Sequence, residues 1–428
     1  MELSPAGRLL FAARAVRTLG FGWLSVVLAL YLARCGFSPT AIGAVLTATM
    51  VEDALLTVLL STLAARAGPA RIMMVTSPLI TLGGVLLATA RDPWLLAVGA
   101  VLGTLSPNGQ EAGAFSPLEQ ALLPETVPAG RRTRAFAWYN VFGFLPAALG
   151  ALAAGAWLPL ARRLGLDEVS AYRAMLWAYA ACGLLLSVLY ARLSACLPPA
   201  PPRPPVGRLG LHRSRDIVLR LAGLQAVDAL AGGLILQSLV AYWFHVRFGA
   251  GPEQLGPLFF GTNMLSALSF LVASRVAERF GLLNTMVFSH LPSNVLLMLV
   301  PLMPSLGLAA TVLLFRHVLS QMDVPTRQAY TMALVAPEER PAAAGLTSSA
   351  RALAQSLGPV VSGLALSTAA SGLPFVLAGG LKILYDLSLY QQFRSIRLDE
   401  GGSAGLGHEE GAGSTSGAGV GGTDPDGA

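Results

Sequence analysis

The sequence predicts an all-α polytopic membrane protein, with twelve transmembrane helices in two pseudo-symmetric six-helix bundles. Three observations carry that expectation. Apolar residues fall into blocks of about 20 to 30, separated by short basic or Pro/Gly-containing stretches. Only 12% of the 428 residues are charged, against about 25% in an ordinary soluble domain. The second half of the chain also repeats the first. A helix rising 1.5 Å per residue needs about 20 apolar residues to cross a hydrocarbon core of roughly 30 Å. So little ionisable surface excludes a disordered protein, a nucleic-acid binder and most water-soluble enzymes. The net charge of +6 sits largely in arginines of short loops, Lys382 being the one lysine.

Taken in order, the apolar blocks lie near 9–33, 39–64, 72–90, 94–123, 135–158 and 172–193, then 217–246, 254–276, 284–303, 306–334, 342–369 and 373–393. The first follows MELSPAGR directly and lacks the shorter apolar region and small-residue cleavage site of a signal peptide, so it reads as an uncleaved span. Residues 1–194 form the first bundle and 217–398 the second. Between them, 195–216 holds the proline-rich basic stretch LPPAPPRPPVGRLGLHRSRD, read as a cytoplasmic linker. The Gly-rich segment 399–428 cannot bury apolar surface and is expected to be disordered. Cys35, Cys182 and Cys196 have no metal-ligand spacing and read as isolated thiols.

Arg66, Arg71, the Arg131, Arg132, Arg134 cluster and the arginines around the linker all fall on the side of the termini. By the positive-inside rule both termini are cytoplasmic. The opposing outer loop, with Arg162, Arg163 and Arg173, is partly balanced by Asp167 and Glu168. Heavy Arg, Ala and Gly use points to a prokaryotic inner membrane.

At an offset of 213, Arg34 aligns with Arg247, Gly36 with Gly249, Pro39 with Pro252, Gly43 with Gly256, Arg66 with Arg279 and Gly68 with Gly281. A second stretch repeats at an offset of 209, with Pro128/Pro337, Arg131/Arg340 and Ala135/Ala344. Two duplicated six-helix halves predict a transporter built from parallel repeats, with its site at their interface.

The loop STLAARAGPAR (61–71) and its copy SRVAERFGLLN (274–284) resemble the G-x-L-A-D-R-x-G-R-[KR] loop of the major facilitator superfamily. The resemblance covers about residues 8–395. It implies two halves that rock about a central cavity lined by spans one, four, seven and ten. It also implies that spans two and eleven meet between the halves, and that Arg66, Arg279 and Glu278 gate the terminus side. Ser61 and Ala65 stand where the family has Gly and Asp, so the acid's locking contact is expected only from Glu278. Leu282, Leu283 and Asn284 replace the distal basic positions. Of the family's exporter motifs, span four departs at Pro107 and Glu111, while LGPVVSG (357–363) gives a partial match in span eleven.

Ionisable groups in a bilayer are costly and mark partners, water or function. Spans four and ten are the richest, and both are broken by proline; interrupted helices at matching places point to a substrate site. Span four offers Asn108 and Gln110 for substrate, Glu111 as a proton carrier and Glu119 as a structural acid. In span ten Arg316, Ser320, Asp323 and Arg327 are spaced 4, 3 and 4 apart, one helical stripe subject to a kink at Pro325. Arg316 or Arg327 would hold an anionic group, and Asp323 would carry a proton or fix an arginine. The alternative is an internal ion-pair ladder.

Span seven adds Gln225, Asp228 and Gln237, and span one adds Arg17 as a substrate ligand with Arg14 nearby. Glu52 and Asp53 in span two face different surroundings, one toward Arg14 or Arg17 and the other toward Arg351 of span eleven as a gate, with Asp53 also a proton-coupling candidate. Lys382 and Asp386, four apart, are expected to neutralise each other, and His317 reads as a packed histidine.

No G-x-x-x-x-G-K-[ST] loop is present, so a gradient must supply the energy. The spans show neither H-E-x-x-H nor a facing Ser/His pair, so an enzyme is not expected, and no cofactor or metal is implied. The expected partners are a small-molecule substrate, protons and the lipid bilayer, with the protein a monomer. The leading expectation is proton-coupled efflux of a small organic molecule by alternating access. The alternative is proton-coupled uptake of an organic anion.

Overall fold

A computed structural model describes residues 4–109, 115–127, 132–197, 214–335, 339–368 and 371–394. Most of the linker, the Gly-rich tail, and the Pro128/Pro337 and Arg131 repeat positions lie outside them. The described elements are helical and group into twelve consecutive segments where the apolar blocks placed them. Spans one and two are α1 (Pro5–Arg34) and α2 (Pro39–Ala67); three is α3 (Pro69–Thr76) with α4 (Pro78–Thr89); four is α5 (Pro93–Leu102) with α6 (Phe115–Leu122). Five and six are α7 (Arg132–Arg163) and α8 (Glu168–Cys196). In the second half, seven is α9 (Arg215–Leu234) with α10 (Gln237–Phe248), eight is α11 (Pro252–Phe280) and nine is α12 (Leu282–Leu299). Ten is α13 (Leu306–Leu319) with α14 (Asp323–Ala333), eleven α15 (Arg340–Leu366) and twelve α16 (Leu373–Phe393).

Helix starts and stops follow local chemistry. Proline opens α1 to α5 and α11, where its missing N–H has no helical partner to lose. Ser4, Ser38 and Asp92 accept N–H bonds as N-caps. The repeat is visible here: α2 and α11 are each 29 residues long and start 213 positions apart. They stop at Gly68 (φ 87°) and Gly281 (φ 83°), left-handed conformations that a side chain would strain.

Nine stretches among the described residues are long and apolar enough to cross a bilayer. Spans four, ten and eleven fall outside that set because they are interrupted or carry polar residues. Large apolar side chains such as Leu55, Val58, Leu184, Phe288 and Leu384 are exposed, an outer surface suited to lipid and not to water. Inside each half, α1 packs on α7 and α8 and α4 on α8, while α9 packs on α15 and α16 and α12 on α16.

The halves meet through α2 against α15 and α7 against α11, with α1 touching α10. Small residues let these backbones approach. A Cβ on Gly43 would lie 2.4 Å from the Pro359 carbonyl, and one on Gly155 2.8 Å from that of Pro252. The Val360 N–H donates across the same crossing to Thr47 Oγ1 at 3.0 Å. These approaches lie toward the ends of the spans remote from the termini. On the terminus side Arg66, Glu278 and Arg279 are exposed and form no ion pair among the described residues. The close approaches between the bundles thus cluster at the end remote from the termini.

A polar cavity between the two halves

Helix breaks in three spans create the site. In span ten the helix does not kink at Pro325, as the sequence suggests, but stops at Leu319 and restarts at Asp323. Pro325 sits in the first turn of α14, where its absent N–H costs nothing. Arg316 thus lies in the last turn of α13, near its negative dipole end, and Asp323 in the first turn of α14, near a positive one. In span four α5 stops at Leu102, leaving the Pro107 carbonyl without a helical donor. Span seven breaks at Ile235–Leu236, and Ser238 gives Pro107 O both its N–H (3.0 Å) and its hydroxyl (2.9 Å). Gln237 Nε2 donates to Ser25 Oγ at 2.7 Å beside it. Irregular backbone at membrane depth is thereby satisfied by the opposite half.

A cavity of about 210 Å³ opens against these breaks. Its walls come mostly from spans seven to twelve, with Asn108 contributed by span four. Four cationic side chains line it, Arg316, Arg327, Arg351 and Lys382, against two carboxylates, Asp228 and Asp323. Asp228 is the hub. It accepts from Lys382 Nζ at 2.5 Å, Arg351 Nη1 at 2.9 Å and Arg327 Nη1 at 3.2 Å. Arg327 also donates to Asp323 at 2.6 Å, one helical turn away. Asp386, behind the wall, is held by His290 at 2.9 Å and Asn294 at 3.0 Å.

Arg316 is the exception. It is buried, lines the cavity and has no carboxylate within 4.0 Å among the described residues; its Nε has no hydrogen-bond partner. Its Nη1 lies 3.4 Å from His317 Nε2. His317 Nδ1 is 2.7 Å from the Leu313 carbonyl, which only accepts, so Nδ1 carries the hydrogen and Nε2 is left bare toward Arg316. A buried guanidinium with unspent donors is costly by itself. The negative end of α13 offsets part of that cost.

The first half holds a counterpart with reversed signs. Arg17 of α1 donates to both Glu119 oxygens, at 2.8 and 2.7 Å, while Tyr190 and Tyr139 hydroxyls donate to the same carboxylate at 2.7 and 2.8 Å. The Arg17–Glu119 pair (spans one and four) mirrors Asp228–Arg327 (spans seven and ten). Here the pair is sealed, at 1% and 0% exposure. Arg14 is buried beside it: its Nε donates to the Tyr139 carbonyl at 2.7 Å and its guanidinium stacks 3.7 Å over that ring.

Of the residues singled out in the sequence, Asn108, Asp228, Gln237, Arg316, Asp323, Arg327 and Arg351 line the cavity. Arg17 does not; its donors are committed to Glu119. Gln225 is buried behind the wall against Thr331 (3.2 Å). Gln110 and Glu111 lie outside the described residues. Two pairings differ from expectation. Lys382 reaches Asp228 and not Asp386, because α16 packs on α9 and a 2.5 Å contact across helices displaces a turn-to-turn one. Arg351 is held by Asp228 and the Gln225 carbonyl (3.3 Å) and not by an acid of α2. On α2, Glu52 Oε2 is buried and without a hydrogen bond. Sequence patterning did not single out Asn263 and His290, buried polar residues of spans eight and nine that also line the cavity. No metal-holding group of His, Cys, Asp or Glu occurs among the described residues.

A family model of the Major Facilitator Superfamily matches residues 10–359. The uncharacterized membrane protein YJR124C of Saccharomyces cerevisiae is 25% identical over 421 residues, 91% of this chain and 94% of that protein. Among solved structures, a bacterial homolog of the human lysosomal transporter Spinster, inward-facing and occupied, superposes with a TM-score of 0.70 at 14% identity, over 91% of this chain and 96% of that one. The nucleoside transporter NupG gives 0.67 at 14% identity over 91% and 99%. The human organic anion transporter MFSD10 gives 0.63 at 17% identity over 90% and 98%.

Proposed function

The chain belongs to the major facilitator superfamily, as a secondary carrier of a small-molecule substrate across a membrane, and from that premise we propose that it moves an organic anion together with protons. The observation that supports the anion is Arg316, a buried guanidinium with unspent donors in a cavity where four cations face two carboxylates. A lipophilic cation would meet the wrong sign of charge there. The exporter-like motif in span eleven does not bear on this charge.

Coupling follows from the shared arginine. Asp323 shares Arg327 with Asp228; a proton on Asp323 would leave Asp228 as that guanidinium's remaining acid and free a donor for the substrate, so proton and anion would favour each other's binding. An inward proton gradient then drives uptake. In proteoliposomes, an organic anion is expected to accumulate under an acid-outside gradient with proton co-entry. Asp323→Asn is expected to abolish accumulation yet retain anion exchange. Accumulation that ignores the pH gradient would remove the coupling.

The gate is read from helix register. Gly43 faces Pro359 and Gly363 where α2 and α15 cross. Ten residues beyond Gly43 is Asp53, and ten residues before the midpoint of the α15 contact is Arg351; the helices run antiparallel, so the two stand level. With the termini cytoplasmic, the present state faces inward. Closing the terminus side would carry Arg351 from Asp228 to the acids of α2. Cysteines at 53 and 351, with Cys35, Cys182 and Cys196 replaced by serine, are expected to crosslink in the outward-facing state and block transport. Absence of a crosslink in every state would remove this gate.

A further inference from the structure

We propose that the groove between the start of α1 and the end of α8 binds an anionic glycerophospholipid of the phosphatidylglycerol type. The groove, about 600 Å³, is walled by Arg8 and Leu9 of α1 and Arg192 of α8, with Ala12 and Ala195 between them. It lies on the outside of the first bundle, apart from the polar cavity, and the inference does not depend on what that cavity carries.

Four features fit one occupant. Arg8 and Arg192 are both exposed, and neither has an acidic partner within 4.0 Å among the described residues. They stand at one height, because α1 and α8 pack antiparallel and each arginine is one turn from its helix end. That height is the edge of the apolar block, where a phosphate group sits. Arg8 also lies near the positive end of α1, which favours an anion. The rest of the lining is apolar, Leu9 and Ala12 on α1 and Ala195 and Cys196 on α8, a surface that an acyl chain can cover.

Charge selects the headgroup. A phosphodiester carries one negative charge and accepts paired bonds from two guanidiniums. A zwitterionic headgroup would bring its own cation against two unpaired arginines, whereas a glycerol headgroup adds only hydroxyls. Basic pockets between helices on the cytoplasmic side recognise anionic lipid in this way. Bound there, the lipid would tie span one to span six on the terminus side.

The test is thermal unfolding of the purified full-length chain in a neutral detergent, titrated with phosphatidylglycerol, phosphatidylcholine or inorganic phosphate. Phosphatidylglycerol is expected to raise the melting temperature saturably. The half-maximal concentration is expected to rise at least tenfold in Arg8→Gln/Arg192→Gln, and to be kept in Arg71→Gln, a control for the basic surface. Equal stabilisation by phosphatidylcholine, or an unchanged titration in the double variant, would overturn the site. Stabilisation by inorganic phosphate alone would overturn the lipid assignment. Should the double variant not fold, native mass spectrometry of the unaltered chain in an equimolar mixture of both lipids decides. One preferentially retained phosphatidylglycerol supports the proposal, and equal retention contradicts it.

Discussion

Asp228→Asn is expected to destabilise the protein by about 3–5 kcal/mol, the cost of leaving buried charges without their counter-ion. Three cations converge on this carboxylate at 2.5, 2.9 and 3.2 Å. An amide can accept from one or two of them but cancels none of their charge. The deficit would fall on the contacts between α9, α14, α15 and α16, which is most of the inner wall of the second bundle. Because membrane proteins commonly unfold irreversibly, the readout is the half-life of the monodisperse protein at a fixed elevated temperature. The double variant Asp228→Asn/Lys382→Met is expected to recover part of the loss, since it removes one of the orphaned cations. A half-life unchanged by Asp228→Asn would mean that the hub is dispensable.

Arg316→Ala is expected to act in the opposite direction on stability. Among the described residues this guanidinium has no acidic partner to lose, so removing it relieves a desolvation cost and leaves the half-life equal or longer. Anion affinity, in contrast, is expected to fall by at least ~30-fold, corresponding to the roughly 2 kcal/mol or more lost when one member of a buried charge pair is deleted. The combination is diagnostic: a structural arginine lowers stability when removed, whereas a binding arginine lowers affinity. Loss of stability without loss of affinity would place Arg316 among the former.

The fold was legible because bilayer chemistry writes itself in blocks. Apolar length gave the spans, and Pro and Gly gave their limits. The repeat was already present in the offset that joins Gly68 to Gly281 and Pro39 to Pro252. The stripe Arg316–Ser320–Asp323–Arg327 was also legible, since all four residues share one wall despite the break between α13 and α14.

What stayed hidden was which helix stands opposite. Helical spacing puts Lys382 beside Asp386, but it cannot know that Asp228 reaches in from α9. The same limit applies to Arg17, whose partner Glu119 sits 102 residues away on α6. The break in span seven at Ile235–Leu236 has no proline to announce it. The Gly232–Gly233 pair just before it weakens the helix, and Ser238 and Gln237 fix the break by finding partners in the other half, a tertiary cause.

Selection of negative charge by the cavity is tested most directly by thermal stabilisation of the purified unaltered chain with matched organic anions and organic cations. A ligand bound only by the folded state raises its stability by RT ln(1 + [L]/Kd), about 2.7 kcal/mol at a hundredfold excess over Kd. Anions are expected to stabilise the chain and cations are not. Stabilisation by cations alone would contradict a cavity selective for negative charge.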